Sequence, residues 1–224
     1  MGGRDVRRPD FPHMKAMAQE RADEHQERTT GRRRMLAKWL SALLDPRVLA
    51  WPVILAAAFR GVGGLGRSLP WAGLVISLAI LPVLFLLGID TARGRLADSQ
   101  APDRRSRNRY YLASAVGMTV CLGLLVILHG PRTLVALLTA MLASALVAAL
   151  CNTRWKVSVH TGSAAGAGIA IGCLYGPLGW LALLLTPIVG WTRVEMGRHT
   201  PAQVWAGGVI GGSVTLAVFR LMLG

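Results

Sequence analysis

"TGSAAGAGIAIGCLYGPLGWLALLLTPIVGWT", residues 161–192, carries no charged side chain. Crossing the ~30 Å hydrocarbon core of a bilayer takes about 20 apolar residues in a helix, so 161–178 has the length and composition of a span. The remainder, 179–192, is short and carries Pro187, yet it follows directly through "YGPLGW", a natural chain reversal. The stretch therefore reads as one span and the return of a second. Its small residues, "GSAAGAGIAIG", read as a surface for close helix packing.

Comparable apolar blocks recur at 48–66, 71–90, 110–129, 131–151 and 203–222. With 53% hydrophobic residues and a mean hydropathy of +0.45, the chain of 224 residues is too apolar for an ordinary soluble domain. The expected fold is all-α: a polytopic transmembrane helical bundle of six to seven spans over residues 48–224, preceded by a basic cytosolic arm, residues 1–47.

A net charge of +14 would point to nucleic acid in a soluble protein, so its placement matters. With the N-terminus cytosolic and seven spans following, segments 1–47, 91–109, 152–160 and 193–202 share one membrane face. They hold 21 of the 25 Lys and Arg residues, leaving Arg60, Arg67, Arg132 and Arg220. That asymmetry follows the positive-inside rule and makes the excess charge a matter of topology, with no nucleic-acid partner expected. The chain reads as a multi-pass protein of the cell membrane, its N-terminus and polar loops cytosolic. No cleavable signal is read at the start, since the first apolar run begins near Leu49. "MAQERADEHQERTTGRRRM" in the arm suits an interfacial or solvated helix. Cys121, Cys151 and Cys173 stand at no metal-ligand spacing, so neither zinc nor structural disulfides are expected.

This topology brings three loops to one face: "RGRLADSQAPDRRSRNR", "NTRWKVSVHTG" and "TRVEMGRHTPAQ". Two of the three histidines outside the arm, His160 and His199, sit in them, while His129 lies on the opposite face as an interfacial residue. Lys156, Arg193, Arg198 and the arginines of the first loop are expected around the two imidazoles. Carboxylates are scarce: Asp90, Asp98, Asp103 and Glu195. Asp98 and Asp103 are expected to pair with neighbouring arginines, with a magnesium diphosphate as the other use. Such a site suits an anion, and two imidazoles among arginines suit covalent phosphoryl transfer. One ring attacks phosphorus, cations neutralise the oxygens, and the other ring protonates the departing alkoxide. Ser158, Thr161 and Gly162, at the start of the 161–178 span, are expected to offer helix N-terminal N–H groups to a phosphate.

"VSVHT" followed by "TRVEMGRHTPAQVWAGGVIG" resembles the type 2 phosphatidic acid phosphatase superfamily, which includes lipid phosphatases, undecaprenyl diphosphate phosphatases and vanadium haloperoxidases. That family carries Pro-Ser-Gly-His, then Ser-Arg, five residues, His, three residues, Asp. Ser158 and His160 match the first stretch, and Arg193 and His199 match the second at the family's spacing. The resemblance covers roughly residues 90 to 222. It implies His199 as the nucleophile that forms a phosphohistidine, His160 as the acid for the leaving group, Arg193 as a phosphate clamp, and neither metal nor cofactor.

The chain departs from the family pattern at three places. Val157 and Val159 replace a Pro and a Gly, stiffening the turn. Gln203 stands where the family has its orienting Asp; its oxygen accepts from the His199 ring but brings no charge. The family's Lys, six residues, Arg-Pro string is missing, and "APDRRSRNRY" takes its position. Arg104 or Arg107 is expected to reach the phosphate there, with Lys156 supplying the lost lysine charge. The leading expectation is a membrane phosphatase for a lipid phosphate or isoprenoid (di)phosphate, with a homo-oligomer left open as a partner. A variant enzyme ionising a prenyl diphosphate (a prenyltransferase or terpene cyclase) and a non-catalytic phospholipid-binding scaffold are the alternatives.

Overall fold

The computed structural model describes residues 31–95 and 104–224, apart from the side chains of 104–108 and 111. Most of the expected arm, with Asp98 and Asp103, lies outside the described residues. All regular structure among the described residues is helical: α1 (Gly31–Leu43), α2 (Pro46–Val62), α3 (Leu65–Val75), a π-helical turn (Ile76–Ile80), α4 (Leu81–Ala92), α5 (Arg104–Ile127), α6 (Arg132–Asn152), α7 (Val159–Tyr175), a 3-10 segment (Gly176–Leu184), α8 (Leu185–Glu195) and α9 (Pro201–Leu223).

The helix starts at the polar end are written into the local sequence. Asp45 caps α2 by accepting from the Arg47 N–H, with Pro46 in the first turn, where its missing N–H costs nothing. Ser158 caps α7 by accepting from the Thr161 N–H. Thr200 and Gln203 form a reciprocal capping box on α9, with Pro201 again in the first turn. At the far end, α7 stops at Gly176 with φ +70°, a conformation that favours glycine.

Six or seven spans were expected; by length and composition four helical stretches qualify. They are Leu65–Ala92, Arg132–Asn152, Val159–Glu195 and Pro201–Leu223, and a fifth appears if α1 and α2, bent by 41°, count as one. The shortfall has a physical source. α2 has 17 residues, about 25 Å at 1.5 Å per residue, and the apolar part of α5 is confined to Leu112–Ile127. The 37 residues of Val159–Glu195 fold back on themselves, as "YGPLGW" suggests. A Cβ on Gly172 would sit 2.4 Å from the Trp180 ring, and one on Gly168 2.8 Å from the Leu183 side chain. Outward-facing apolar side chains such as Leu112, Val120, Leu146, Leu150 and Val209 are exposed, as the lipid-facing surface of a membrane protein would be.

Small residues bring α9 against α7. A Cβ on Gly207 would lie 2.2 Å from the Ser158 carbonyl oxygen, and one on Gly211 2.0 Å from that of Gly162. Only glycine permits this backbone approach, so the start of α7 and the first turns of α9 are fixed together. The "GSAAGAGIAIG" stretch thus packs as its composition suggests. On the other side, Ile54, Val75, Leu125, Leu134 and Leu138 of α2, α3, α5 and α6 form the buried apolar core. The π turn belongs to this half, and a Cβ on Gly117 of α5 would meet the Leu78 carbonyl oxygen at 2.3 Å.

Candidate functional site

His199 lies in the short corner between α8 and α9, half-buried, with Nδ1 3.2 Å from Gln203 Oε1. The same oxygen accepts from the Thr200 backbone N–H at 3.2 Å. Because a backbone N–H only donates, it fixes the oxygen of the amide, not its nitrogen, on this side. Gln203 Oε1 in turn only accepts, so His199 carries its proton on Nδ1 and leaves Nε2 with a lone pair. Burial, and after it the Lys156 ammonium, lowers the His199 pKa to about 4, with the charge of Arg193 and the His160 ring acting in the same sense. The ring is therefore neutral at pH 7, with Nε2 available as a base or nucleophile.

His160 opens α7, its side chain 16% exposed, and its Nε2 stands 3.6 Å from Asp45 Oδ2. That is ion-pair distance, longer than a hydrogen bond. Asp45 is 4% exposed and gripped by Arg47, whose Nε donates to Oδ1 at 2.7 Å and Nη2 to Oδ2 at 2.8 Å. The fork neutralises this carboxylate, which is not among the residues expected at the site, and still leaves it facing an imidazole.

Two of the three expected loops meet. Lys156 Nζ donates to the Arg198 carbonyl oxygen at 2.9 Å, and the Ser158 N–H to that of Gln203 at 3.1 Å, tying 152–160 to 193–203. Arg193, 2% exposed in the last turn of α8, donates from Nη1 to Ser41 Oγ of α1 at 3.1 Å. α1 is thereby seated on the bundle, with Ala37 and Ser41 buried while Trp39 and Leu43 stay exposed. His199 lies within electrostatic reach of Lys156, Arg193 and His160, and His160 within reach of Arg193. Trp39, Trp155, Trp191 and Trp205 are exposed there, the side chains expected where a bilayer meets water.

At the start of α7 and in the first loop, the arrangement differs from the expected one or lies outside the described side chains. The N–H groups expected to cradle a phosphate at the start of α7 are already engaged: that of Thr161 by Ser158 Oγ, that of Gly162 by the Ser158 carbonyl. Ser158 itself is buried, its hydroxyl paired with Thr161 Oγ1 at 2.9 Å, so its position is that of a helix cap. Arg104 and Arg107 open α5, and their side chains lie outside those described. Arg109 and Arg95 of the first loop do not gather at the imidazoles. They converge on Asp90, which also accepts from the Tyr110 hydroxyl, because that buried carboxylate needs its own compensation.

A cavity of about 270 Å³ runs between α2, the π turn, α5, α6, α7 and α9. Its wall is largely apolar, with Val53, Ile80, Met118, Leu137, Met141 and Ile210 among the lining residues. Along α6 it extends from Asn152 to Leu137, some 22 Å at 1.5 Å per residue. Arg47, Asn152 and Ser158 line its polar end, while neither imidazole lines it. Arg47 joins the two features, touching the cavity and holding the carboxylate that faces His160.

Asp45, Arg47 and Ser41 were missed because they precede the first apolar block and read as part of the arm. The one local signal was Asp-Pro at 45–46, a helix-start pattern. No protein-family model matches the chain, and no curated protein or solved structure matches it either.

Proposed function

We propose that the protein is an integral membrane phosphatase for a lipid phosphate or isoprenoid (di)phosphate, working through a phosphohistidine on His199. The observation that carries this reading is the hydrogen bonding of His199: Nδ1 faces Gln203 Oε1, which leaves Nε2 as the lone pair of a ring that feels the charges of Lys156 and Arg193. In the first step that lone pair attacks phosphorus, the P–O bond to the lipid breaks, and His160 gives the departing oxygen a proton. In the second, His160 takes a proton from water, the hydroxide attacks phosphorus, the P–N bond breaks, and inorganic phosphate leaves. Arg193 and Lys156 are cations of the right kind to neutralise the oxygens in both transition states.

The long apolar cavity beside this end is the second support, since a lipid tail needs a dry slot next to the place where its head is cut. The family resemblance of residues 157–161 and 192–211 points the same way. A cytosolic orientation of the polar end, inferred from the distribution of basic residues, belongs to this proposal. The deciding test is purified protein in detergent given farnesyl diphosphate or phosphatidic acid. Phosphate release that is lost in His199→Ala, together with an acid-labile phosphoenzyme present only when His199 is intact, is the expected result. Tight lipid binding without release would instead favour a scaffold.

A further inference from the structure

We infer that Asp45 is the positioning carboxylate of His160, facing its Nε2 at ion-pair distance and offsetting the ring's positive charge when the proton for the leaving group sits on it. This rests on the phosphatase reading and adds a residue that the family resemblance does not supply, since Asp45 lies outside the matched region. Three observations carry it. The Asp45 carboxylate is buried and its Oδ2 is the acidic oxygen at 3.6 Å from His160 Nε2. Arg47 holds that carboxylate with two side-chain bonds and one backbone bond, so its direction is fixed before any substrate arrives. Asp45 also sits at the bend between α1 and α2, where it caps α2 and where Ser41, one turn earlier, meets Arg193. The charged or titratable groups that act on His160 are Asp45, Arg193 and Arg47, with His199 nearby.

With Nε2 turned to Asp45, Nδ1 is the nitrogen left to exchange protons with the substrate. A proton on Nδ1 makes the ring an imidazolium, and a carboxylate at ion-pair distance favours that state relative to a neutral neighbour. As Nδ1–H passes to the lipid oxygen, the ring becomes neutral and the Asp45–Arg47 pair remains. Atoms and charge balance without any further reactant.

The test uses leaving groups, because only a poor one needs a proton. Asp45→Asn keeps an acceptor oxygen for capping α2 and removes the charge. Phosphoenzyme formation on His199 is followed with a prenyl monophosphate, whose alkoxide leaves badly, and with 4-nitrophenyl phosphate, whose phenolate leaves well. The expected result is a fall of about tenfold or more for the prenyl ester at unchanged KM, with less than about threefold for the aryl ester. Asp45→Glu, which restores the charge, is expected to recover part of the prenyl rate. Equal losses on both esters, or no loss on either, would overturn the role of Asp45 while leaving an active phosphatase standing. An unmodified chain that forms no phosphoenzyme with either ester would sink the phosphatase reading itself, and this inference with it.

Discussion

At the α8–α9 corner an imidazole faces a neutral amide, and at the start of α7 another faces a carboxylate. The first, His199, is surrounded by cations and bonded to Gln203, so its environment disfavours a second proton and preserves a lone pair on Nε2. The second, His160, has Asp45 at 3.6 Å, the arrangement that supports a ring when it carries charge. On the proposed reading the two identical side chains take opposite tasks, one giving electrons and one giving a proton. The difference lies in which helix end supplies the partner: Gln203 from the first turn of α9, Asp45 from the cap of α2.

The largest expected effect comes from exchanging those tasks. His199→Ala should abolish phosphate release, by on the order of 10³-fold or more, and remove the phosphoenzyme. His160→Ala should slow release from lipid substrates by about 10²-fold yet still allow labelling of His199 by an aryl phosphate, followed with radiolabelled substrate. If His160→Ala were the variant that loses all labelling, the assignment of roles would be reversed.

A second way to break the contrast is to separate its two halves. Any side chain at Gly207 meets the Ser158 carbonyl, so Gly207→Val should push α9 off the start of α7. A stability loss of about 1–3 kcal/mol in a denaturant titration is expected, along with a fall in activity on both ester types.

The pH profile sharpens the comparison. The His199 pKa, lowered to about 4, keeps the proposed nucleophile unprotonated through pH 7 and down to about pH 5, so the acid limb should fall only near pH 4. Folding follows the same sign: between the ordinary value near 6.5 and about 4, the unfolded chain binds the proton and the folded one does not. This contribution to stability is therefore complete above about pH 6.5 and lost as pH falls toward 4. Gln203→Glu, with a charge beside Nδ1, should move the acid limb to higher pH. A smaller shift in the same direction is expected for Lys156→Gln, which removes a cation that disfavours the protonated ring, with KM for the phosphate rising a few-fold.

Much of this was legible in the chain. The fold-back at "YGPLGW", the small-residue face of α7 and the starts of α7 and α9 follow from local residue chemistry. The bond between His199 and Gln203 also lies within one turn, and reading a four-residue spacing sufficed. Contacts with the front of the chain were not legible. Ser41 and Arg193 meet across 152 residues, and no periodicity announces such a pairing. Counting 48–66 and 110–129 as spans took apolar composition for helix length, whereas α2 ends at Val62, capped by Gly63, and α5 is polar over its first turns.

The π turn at Ile76–Ile80 sets a rotation as well as a shape. Its loop of backbone holds one residue more than an α-turn, and Gly117 rests against its Leu78 carbonyl. Excising a single residue there would rewind the turn into ordinary α-helix and leave the residues after it in about the same phase, because the wide turn is what absorbs the extra residue. The same excision a turn later, in the regular part of α4, has nothing to absorb it: Asp90 would turn by about 100°, away from Tyr110 and Arg109, and the polar anchor between α4 and α5 would come undone.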